Sequence, residues 1–574
     1  MRRFLPFSDV RVLKSILPPW AIAILRRLRD LFRRAGRLHL NTPAARRAVA
    51  EQELQALPTR PLISLVMPTY KTDLRYLREA VESVTGQLYP EWELCIVDDG
   101  SGDPKLARAI IAHAAGDERI KFKLVEQNRG ISAASNDGLA MCSGEFVGFL
   151  DHDDTLTNDA LLRVAQELST EPEIDVVYTD SDKLTIKGIR ADPFLKPDWS
   201  PVYALGAMYI GHLLVVRRTV AQAAGGFDSA FDTIQDFEFM LRVSERTDRI
   251  HHIPQILYHW RAIPGSIAAG TDQKDGVPEL QAKAVSDHLQ RLAVGATAVP
   301  HETIPHRAVL APANGSAPTP PVSIVIAPGR DRRPPARLRQ SISDLTSYPD
   351  YELIVGEGET RARANNEGAA RAKGEYLLFL SPDAEVVRGD WIDQLVLHAS
   401  LPRVAAVGPA LVRADGKVEE AGMAIGLRDP AVPMLAGFSA DGDGYYGSMP
   451  CAREVSALGA ACMLVAKAAF DEEGGFSELY NSEYEDFDLC MRLRKRGLKC
   501  VYTPRARLLT HRSEAARRAA TDIVDRALFV DTWYDELRVG DPYFNPGFAR
   551  QQADYIPAGW RERVYRAAAP LGMR

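Results

Sequence analysis

The chain has 574 residues, 46% of them hydrophobic and 25% charged. That is an ordinary globular composition, with length for about three or four domains, and it excludes a collagen, a low-complexity polymer and a disordered chain. The net charge of −6 excludes a nucleic-acid-binding role for the chain as a whole.

Charge is unevenly placed. Residues 1–49 carry twelve Lys/Arg against Asp9 and Asp30. The segment Leu17 to Phe32 alternates apolar residues with arginine pairs, a pattern that suits a helix on an anionic membrane surface. The apolar stretch Ile16 to Leu25 is too short to span a bilayer, and no small-residue cleavage site follows it. Cys95, Cys142, Cys451, Cys462, Cys490 and Cys500 form no C-x-x-C pair and sit in apolar runs. They read as buried thiols of a reducing compartment, so the expected location is cytoplasmic, peripheral to the inner face of the membrane.

The predicted elements begin at Ile63–Met67, a short apolar run with strand character. Thr72 or Asp73 caps a helix in which Leu74, Leu77, Val81 and Val84 recur at helical spacing, and a second strand, Leu94–Val97, ends in Asp98-Asp99-Gly-Ser. Strand–helix–strand of this kind builds a mostly parallel sheet whose ligands bind beyond the strand ends. A further strand, Phe146–Leu150, ends in Asp151-His-Asp153-Asp154. Two carboxylate clusters behind apolar strands offer hard oxygen ligands suited to Mg²⁺ or Mn²⁺ bridging to a diphosphate. Other D-x-D sequences, Asp180-Ser-Asp182 and Asp441-Gly-Asp443, show that the pattern alone is weak.

The chain then repeats itself. Ile63–Met67 is matched by Val322–Ile326 and Glu93–Val97 by Glu352–Gly356, both at an offset of 259 residues. Ser143–Leu150 is matched by Lys373–Leu380 at an offset of 230, and Gly225-Gly-Phe by Gly474-Gly-Phe at 249. Four landmarks in one order mean two copies of one domain, the second lacking about 29 residues near 102–130. The expected division is a basic extension (1–60), copy one (61–299), a Pro/Ala/Ser/Gly-rich linker (300–321), copy two (322–520) and a tail (521–574). The one G-x-G-x-x-G match, Gly442 to Gly447, opens no convincing helix and reads as a loop; there is no Walker A motif.

Gln235-Asp236-Phe-Glu238 in copy one and Glu485-Asp486-Phe-Asp488 in copy two each begin a helix. Asp236 and Asp486 are N-caps or general bases; repetition does not separate the two. His259 and His511 follow at matching places and could close a metal shell.

Pro68-Thr-Tyr70, Asp98-Asp-Gly-Ser, Asn128-Arg-Gly130, Asn136, Asp151-His-Asp-Asp, Gly-Gly-Phe227 and Gln235-Asp236 together resemble family 2 glycosyltransferases of the GT-A fold. Tyr178-Thr-Asp-Ser-Asp-Lys183, Lys196-Pro-Asp-Trp-Ser-Pro201 and Leu257-Tyr-His-Trp-Arg261 are similar to bacterial two-domain enzymes of O-antigen and surface-polysaccharide assembly. The resemblance implies two tandem α/β GT-A domains, the second truncated, and an inverting, metal-dependent transferase moving a sugar from a nucleotide donor to a glycan or lipid-linked acceptor. It implies donor contacts at Pro68, Tyr70, Asp98, Asp99, Asn136 and Asp151, with Asp99 on the base. It places the metal on Asp151, Asp153 and His259, with Asp383 and His511 as the copy-two counterparts. The general base is Asp236, with Asp486 its counterpart, and acceptor contacts fall at Asp180, Asp182 and Trp199. Glu238 stands where relatives have Asp. In copy two Asp98, Asp99 and Asp151 become Glu357, Gly358 and Ser381, so its donor half is depleted. The competing readings are a non-catalytic carbohydrate-binding scaffold, at least for copy two, and a nucleotidyltransferase; the latter lacks its Gly-rich basic loop after the first strand.

Overall fold

The computed structural model describes residues 43–263, 276–313, 315, 319–327, 334–512, 522–551 and 553–558. The predicted membrane-surface helix at 17–32 lies outside them. Copy one contains β1 (Ile63–Thr69), β2 (Trp92–Asp98), β3 (Ile120–Leu124), β4 (Phe146–Phe149), β5 (Thr155–Leu156), β6 (Val176–Thr185), β7 (Arg190–Phe194), β8 (Leu214–Arg217) and β9 (Ile250–Ala262). They form one sheet in the order β3-β2-β1-β4-β8-β6-β9-β5, with β7 paired to β6. β3, β2, β1 and β4 run parallel, whereas β8 is antiparallel to its neighbours β4 and β6. β1, β2 and β4 are near-continuous apolar runs because helices cover both faces; Leu65, Val66, Leu94, Ile96 and Val147 have no exposed surface. Asp73 caps helix Leu74–Thr85 by accepting the Arg75 N–H, and Leu77, Val81 and Val84 on that helix are buried as their spacing predicts.

After helix Val277–Arg291 comes an antiparallel hairpin of β10 (Ala296–Pro300) and β11 (Ala308–Pro312). Half of the segment read as a linker is therefore ordered structure. An apolar cluster runs from Phe237 and Leu241 through Val285 and Leu310 to Ile324 and Leu395, joining the copies in one core.

Copy two contains β12 (Val322–Ile326), β13 (Tyr351–Val355), β14 (Tyr376–Leu380), β15 (Ala384–Val386), β16 (Val404–Val412), β17 (Val418–Glu420), β18 (Met423–Ile425), β19 (Ala431–Pro433), β20 (Arg453–Val455), β21 (Cys462–Ala466) and β22 (Lys499–Thr510). Its sheet runs β13-β12-β14-β21-β16-β22-β15, which is copy one's order without β3. The missing residues are thus helix Pro104–Gly116 and the edge strand it feeds. In both copies a serine on the first strand hydrogen-bonds a glutamate on the second, Ser64 to Glu93 and Ser323 to Glu352, each at 2.6 Å.

The described part of the tail packs on copy two. Helix Ile523–Thr532 presents Asp525 to the Asn481, Ser482 and Glu483 amides, and Phe544 and Phe548 enter copy two's core. The Gly442–Gly447 loop serves the junction between copies: the Tyr445 hydroxyl donates to the Pro193 carbonyl and accepts from the Leu195 amide.

Candidate functional site

The site is built at the C-terminal ends of β1, β2 and β4. Pro68 lies on β1 and Tyr70 just beyond it is exposed. The Lys71 amide donates to Ser101 Oγ at 2.7 Å, tying the β1 end to the β2 end. Asp98 is buried and its Oδ1 accepts from the Ser101 and Thr69 hydroxyls. Asp99 is only 2% exposed. Its carboxylate accepts the Arg129 amide at 3.1 Å and the Gly130 amide at 2.9 Å, and its carbonyl accepts from Asn128 Nδ2. Its visible work is to hold the Asn128-Arg-Gly130 turn, not to present an open contact for a base.

Asn136 corrects the sequence reading more sharply. Its Nδ2 donates to the Phe227 carbonyl and its Oδ1 accepts the Phe227 amide, both at 2.8 Å. In copy two Asn366 does the same to Phe476, at 2.9 Å each way. Both ends of the amide are spent on backbone, so Asn136 is a clamp on the Gly-Gly-Phe turn rather than a donor contact. Gly226 has φ +69 and a Cβ there would meet Asn136 Oδ1 at 2.4 Å; only glycine suits that turn.

Past β4 the four acidic-turn residues separate into roles. Asp151 is partly exposed and lies 3.5 Å from His212 Nε2. Asp153 is mostly buried; burial raises its carboxyl above the ordinary range and the adjacent Asp151 raises it further. Asp154 is fully buried, accepting the Tyr258 hydroxyl at 2.5 Å and the Arg261 amide at 2.7 Å, and burial pushes it up furthest. Arg261 also donates to the Asp153 carbonyl and to Glu79. The Tyr-His-Trp-Arg stretch of β9 therefore fixes the shape of this turn through Tyr258 and Arg261.

Asp236 opens helix Gln235–Ser244, where its Oδ1 accepts the Phe237 amide at 2.8 Å. Burial raises its carboxyl; His212 opposes that rise, and Asp151 adds to it. Asp151, His212 and Asp236 thus share one electrostatic environment. His212 stacks on Tyr258 with ring centroids 5.2 Å apart. Its Nδ1 and the Gln235 Oε1 are buried without a hydrogen-bond partner among the described residues.

His259 does not join this group. As the residue after Tyr258 it faces the other side of β9. Its Nδ1 lies 2.6 Å from Asp182 Oδ1, and Arg190 holds the other Asp182 oxygen at 2.6 Å. Asp180 is fully buried, taking the Lys196 amide at 2.8 Å, Asn545 Nδ2 at 3.0 Å and facing His252 Nε2 at 3.0 Å. Neither Asp180 nor Asp182 has a carboxylate open to an acceptor: burial and internal partners have claimed both. Trp199 is half-buried and stacks on Tyr209. Among the described residues the one set of three metal-capable groups already within 4.8 Å of one another is Glu93, Cys95 and Cys142. It lies at the opposite end of the strands, and its carboxylate is occupied by Ser64, Lys121 and Ser143. Asp151 and Asp153 do not form a closed cage with His259. Their oxygen chemistry still suits a small hard cation, which takes one or two carboxylates and completes its shell with substrate phosphates and water.

Copy two differs where the nucleotide would enter. With no counterpart of β3, β13 leads directly into helix Arg361–Arg371, the counterpart of helix Ile131–Met141, and the start of that helix packs against the end of β13. A Cβ at Gly356 would stand 1.9 Å from the Ala364 carbonyl oxygen, and one at Gly358 2.5 Å from the Ala364 nitrogen. Asp486 is buried, accepting the Ala460 amide at 2.7 Å and the Phe487 amide at 3.0 Å. Arg361 ion-pairs with Glu485 and reaches Asp486 at 3.4 Å. Burial lifts Asp486 to about 6 despite that arginine. Asp383 is exposed and receives the His511 amide on its carbonyl, while the His511 ring faces Glu385. The predicted Asp383–His511 metal pair is therefore not assembled.

The glycosyl transferase family 2 profile matches residues 64–222 and 329–457, one segment in each copy. The chain belongs to this family. It is 35% identical over 542 residues to the O-antigen biosynthesis protein RfbC of Myxococcus xanthus, covering 88% of this chain and 41% of that one. It is 34% identical over 545 residues to an uncharacterised Sinorhizobium fredii protein, covering 88% of this chain and 59% of that one. The chain thus spans about half the length of these relatives. Over 42% of this chain and 34% of the relative it is 29% identical to the chondroitin synthase of Escherichia coli. Among solved structures it is similar to Staphylococcus aureus TarS 1–349 in complex with UDP-GlcNAc, at 21% identity and a TM-score of 0.33 over 40% of this chain and 66% of that one. With the sheet orders above, the two copies are tandem GT-A domains, the second lacking its outer αβ unit. His212, Tyr258 and Arg261 are the site residues for which the sequence reading gave no role. Repetition could not reveal His212, because copy two carries Ala461 at its place. No described helix is long and apolar enough to cross a membrane.

Proposed function

We propose that copy one transfers a sugar from a nucleotide-diphosphate donor to a hydroxyl of a glycan or lipid-linked acceptor, with inversion, in bacterial surface-polysaccharide assembly. The observation that carries this reading is the meeting of Asp151, His212 and Asp236 beyond the ends of parallel strands. In it Asp236 accepts the proton of the acceptor hydroxyl. The freed oxygen attacks the anomeric carbon from the side opposite the diphosphate, whose bond to that carbon breaks. Burial makes Asp236 a stronger base than a surface carboxylate, as the role requires. Asp153 with Asp151 would hold Mg²⁺ or Mn²⁺, which supplies charge stabilisation for the leaving diphosphate. Tyr258 and Arg261 fix the turn that carries both carboxylates. The test is release of nucleoside diphosphate from a panel of UDP-, GDP- and dTDP-sugars with Mg²⁺ or Mn²⁺ and a saccharide acceptor. Release that chelation abolishes supports the reading, and a panel without a single competent donor overturns it.

A separate reading applies to copy two: it binds no donor and transfers no sugar. The packed Gly356 and Gly358 contacts and the Arg361 ion pair support it. The basic residues 1–49 are proposed to place the chain on an anionic membrane, where a lipid-linked acceptor would lie. Liposome flotation that is equal with and without that segment removes this part of the proposal.

A further inference from the structure

Copy two and the C-terminal segment reach copy one's site through a continuous chain of buried hydrogen bonds. Asn545 is 2% exposed and lies between Phe544 and Phe548 of copy two's core. Its Nδ2 donates to both Asp180 oxygens, at 3.1 and 3.0 Å, and to the Lys196 carbonyl at 2.8 Å. Its Oδ1 accepts the Gly547 amide at 2.7 Å, which fixes the direction of the side chain. Asp180 in turn takes the Lys196 amide. The Lys196 side chain is fully buried and its ammonium donates to three carbonyls: Thr179 at 2.6 Å, Ile210, and His212 at 3.0 Å. Two of those carbonyls belong to the loop that carries the His212 ring to Asp151 and Asp236. An adjacent strut runs the same way: the Asp198 amide donates to the Pro542 carbonyl, and Asp198 Oδ1 faces His252 Nδ1 at 3.0 Å.

A buried ammonium is retained only where its donors are met. Here one is met by β6 at Thr179 and two by the backbone of the loop that delivers an imidazole to the site. We propose that Asn545 and Lys196 are positioning residues that act through His212, and that the C-terminal segment docked on copy two serves as the buttress for copy one's catalytic loop. This gives copy two a function although its own donor side is closed. The inference rests on the reading of Asp236 as the base of copy one.

Two measurements on the full chain test it. The first is amide hydrogen exchange. Asn545→Ala should speed exchange of the amides at 210–214 at least tenfold and leave the Asn136-clamped amide of Phe227 unchanged. Equal exchange at 210–214 overturns the proposal. The second is a double-mutant cycle on kcat with the best donor of the panel. Asn545→Ala should lower kcat about tenfold with the donor KM within twofold, since small misplacements of reacting groups cost rate rather than binding. In a His212→Ala background it should lower kcat less than twofold further. A tenfold loss in both backgrounds, a full-rate His212→Ala, or a loss that only tracks the folded fraction by circular dichroism overturns it. Asn545→Ser, which keeps one donor, is carried through the same cycle in case Asn545→Ala does not fold, and Asn545→Gln should recover part of the rate. Full transfer by Asp236→Asn would instead sink the base assignment, a result separable from either arm here.

Discussion

Replacing Asp236 by Asn changes one function while sparing the local structure. The side chain keeps its size, and an Asn Oδ1 still accepts the Phe237 amide that Asp236 accepts at 2.8 Å. That hydrogen bond in the first turn is therefore kept. Removing the negative charge relieves a group whose ionisation burial already opposes, so the variant should be as stable as the parent or slightly more so. What is lost is the proton acceptor. General-base help is typically worth about 10²–10⁴-fold, or about 2.7–5.5 kcal/mol of barrier. Transfer, followed as nucleoside diphosphate released per acceptor glycosylated, should fall by that factor. Donor affinity, followed by titration calorimetry, should stay within about threefold, because the proposed role of Asp236 is toward the acceptor hydroxyl and not the donor. The parent's rate should also fall at acid pH as Asp236 takes up its proton, and this limb should begin above the ordinary Asp range of about 4. A variant retaining more than a third of the parent rate would refute the assignment.

Asn136→Ala should leave the Phe227 amide and carbonyl unpaired in a buried turn, costing about 2–4 kcal/mol in urea unfolding; normal stability with weakened donor binding would restore Asn136 to the donor site. Glu420 is pushed up to about 7, by burial first, with Asp486 adding to the rise. A carboxyl whose folded pKa lies above its unfolded value stabilises fully at pH below about 4.5 and loses that contribution as pH rises through about 7. Glu420→Gln should therefore gain Tm relative to the parent at pH 8 compared with pH 5, and a constant difference across that window would contradict the burial argument. Equilibrium dialysis with the preferred nucleotide should give one site per chain. Arg361→Gln should leave transfer within twofold of the parent and lower stability by about 2 kcal/mol, because it leaves the buried Glu485 and Asp486 without their cation; two sites per chain, or lost transfer in that variant, would show a working donor site in copy two.

The internal repeat made the architecture legible. Offsets of 259 and 230 placed the paired strands and located the deletion, and the two sheet orders differ by the strand that this arithmetic removes. Repetition reports shared structure as readily as shared chemistry, however. Asn136 and Asn366 recur because both copies need the same Gly-Gly-Phe clamp, and a side chain's partner is not visible in its spacing. Asp180 and Asp182 imitate a ligand pair because D-x-D on a strand places both carboxylates on one face. Whether that face holds a substrate or a buried Asn, His and Arg depends on residues as distant as Asn545. His212 has the reverse problem: a lone histidine before an apolar strand carries no pattern, and its importance comes from a loop brought beside Asp151 and Asp236 by folding.

The place of the deletion explains how copy two is without one edge unit and yet keeps its acidic helix start. β3 is an edge strand with a single partner, β2, so removing it breaks one ladder and leaves the six interior pairings that define the sheet. The new edge, β13, is short and carries the charged Glu352, features by which a sheet tolerates an open edge. Asp486 lies on a helix at the far side and was not displaced. It was left with Glu485 as a pair of buried carboxylates, and without a donor complex nearby that pair needs another source of positive charge. Arg361 supplies it from the first turn of helix Arg361–Arg371, whose start packs against the end of β13. Copy one has Ile131 at that position and Gln235 in place of Glu485, so its Asp236 has neither the second acid nor the arginine. One chain thus contains the same acidic helix start in two electrostatic settings, one neutralised from within and one whose partners, Asp151 and His212, face an open strand end.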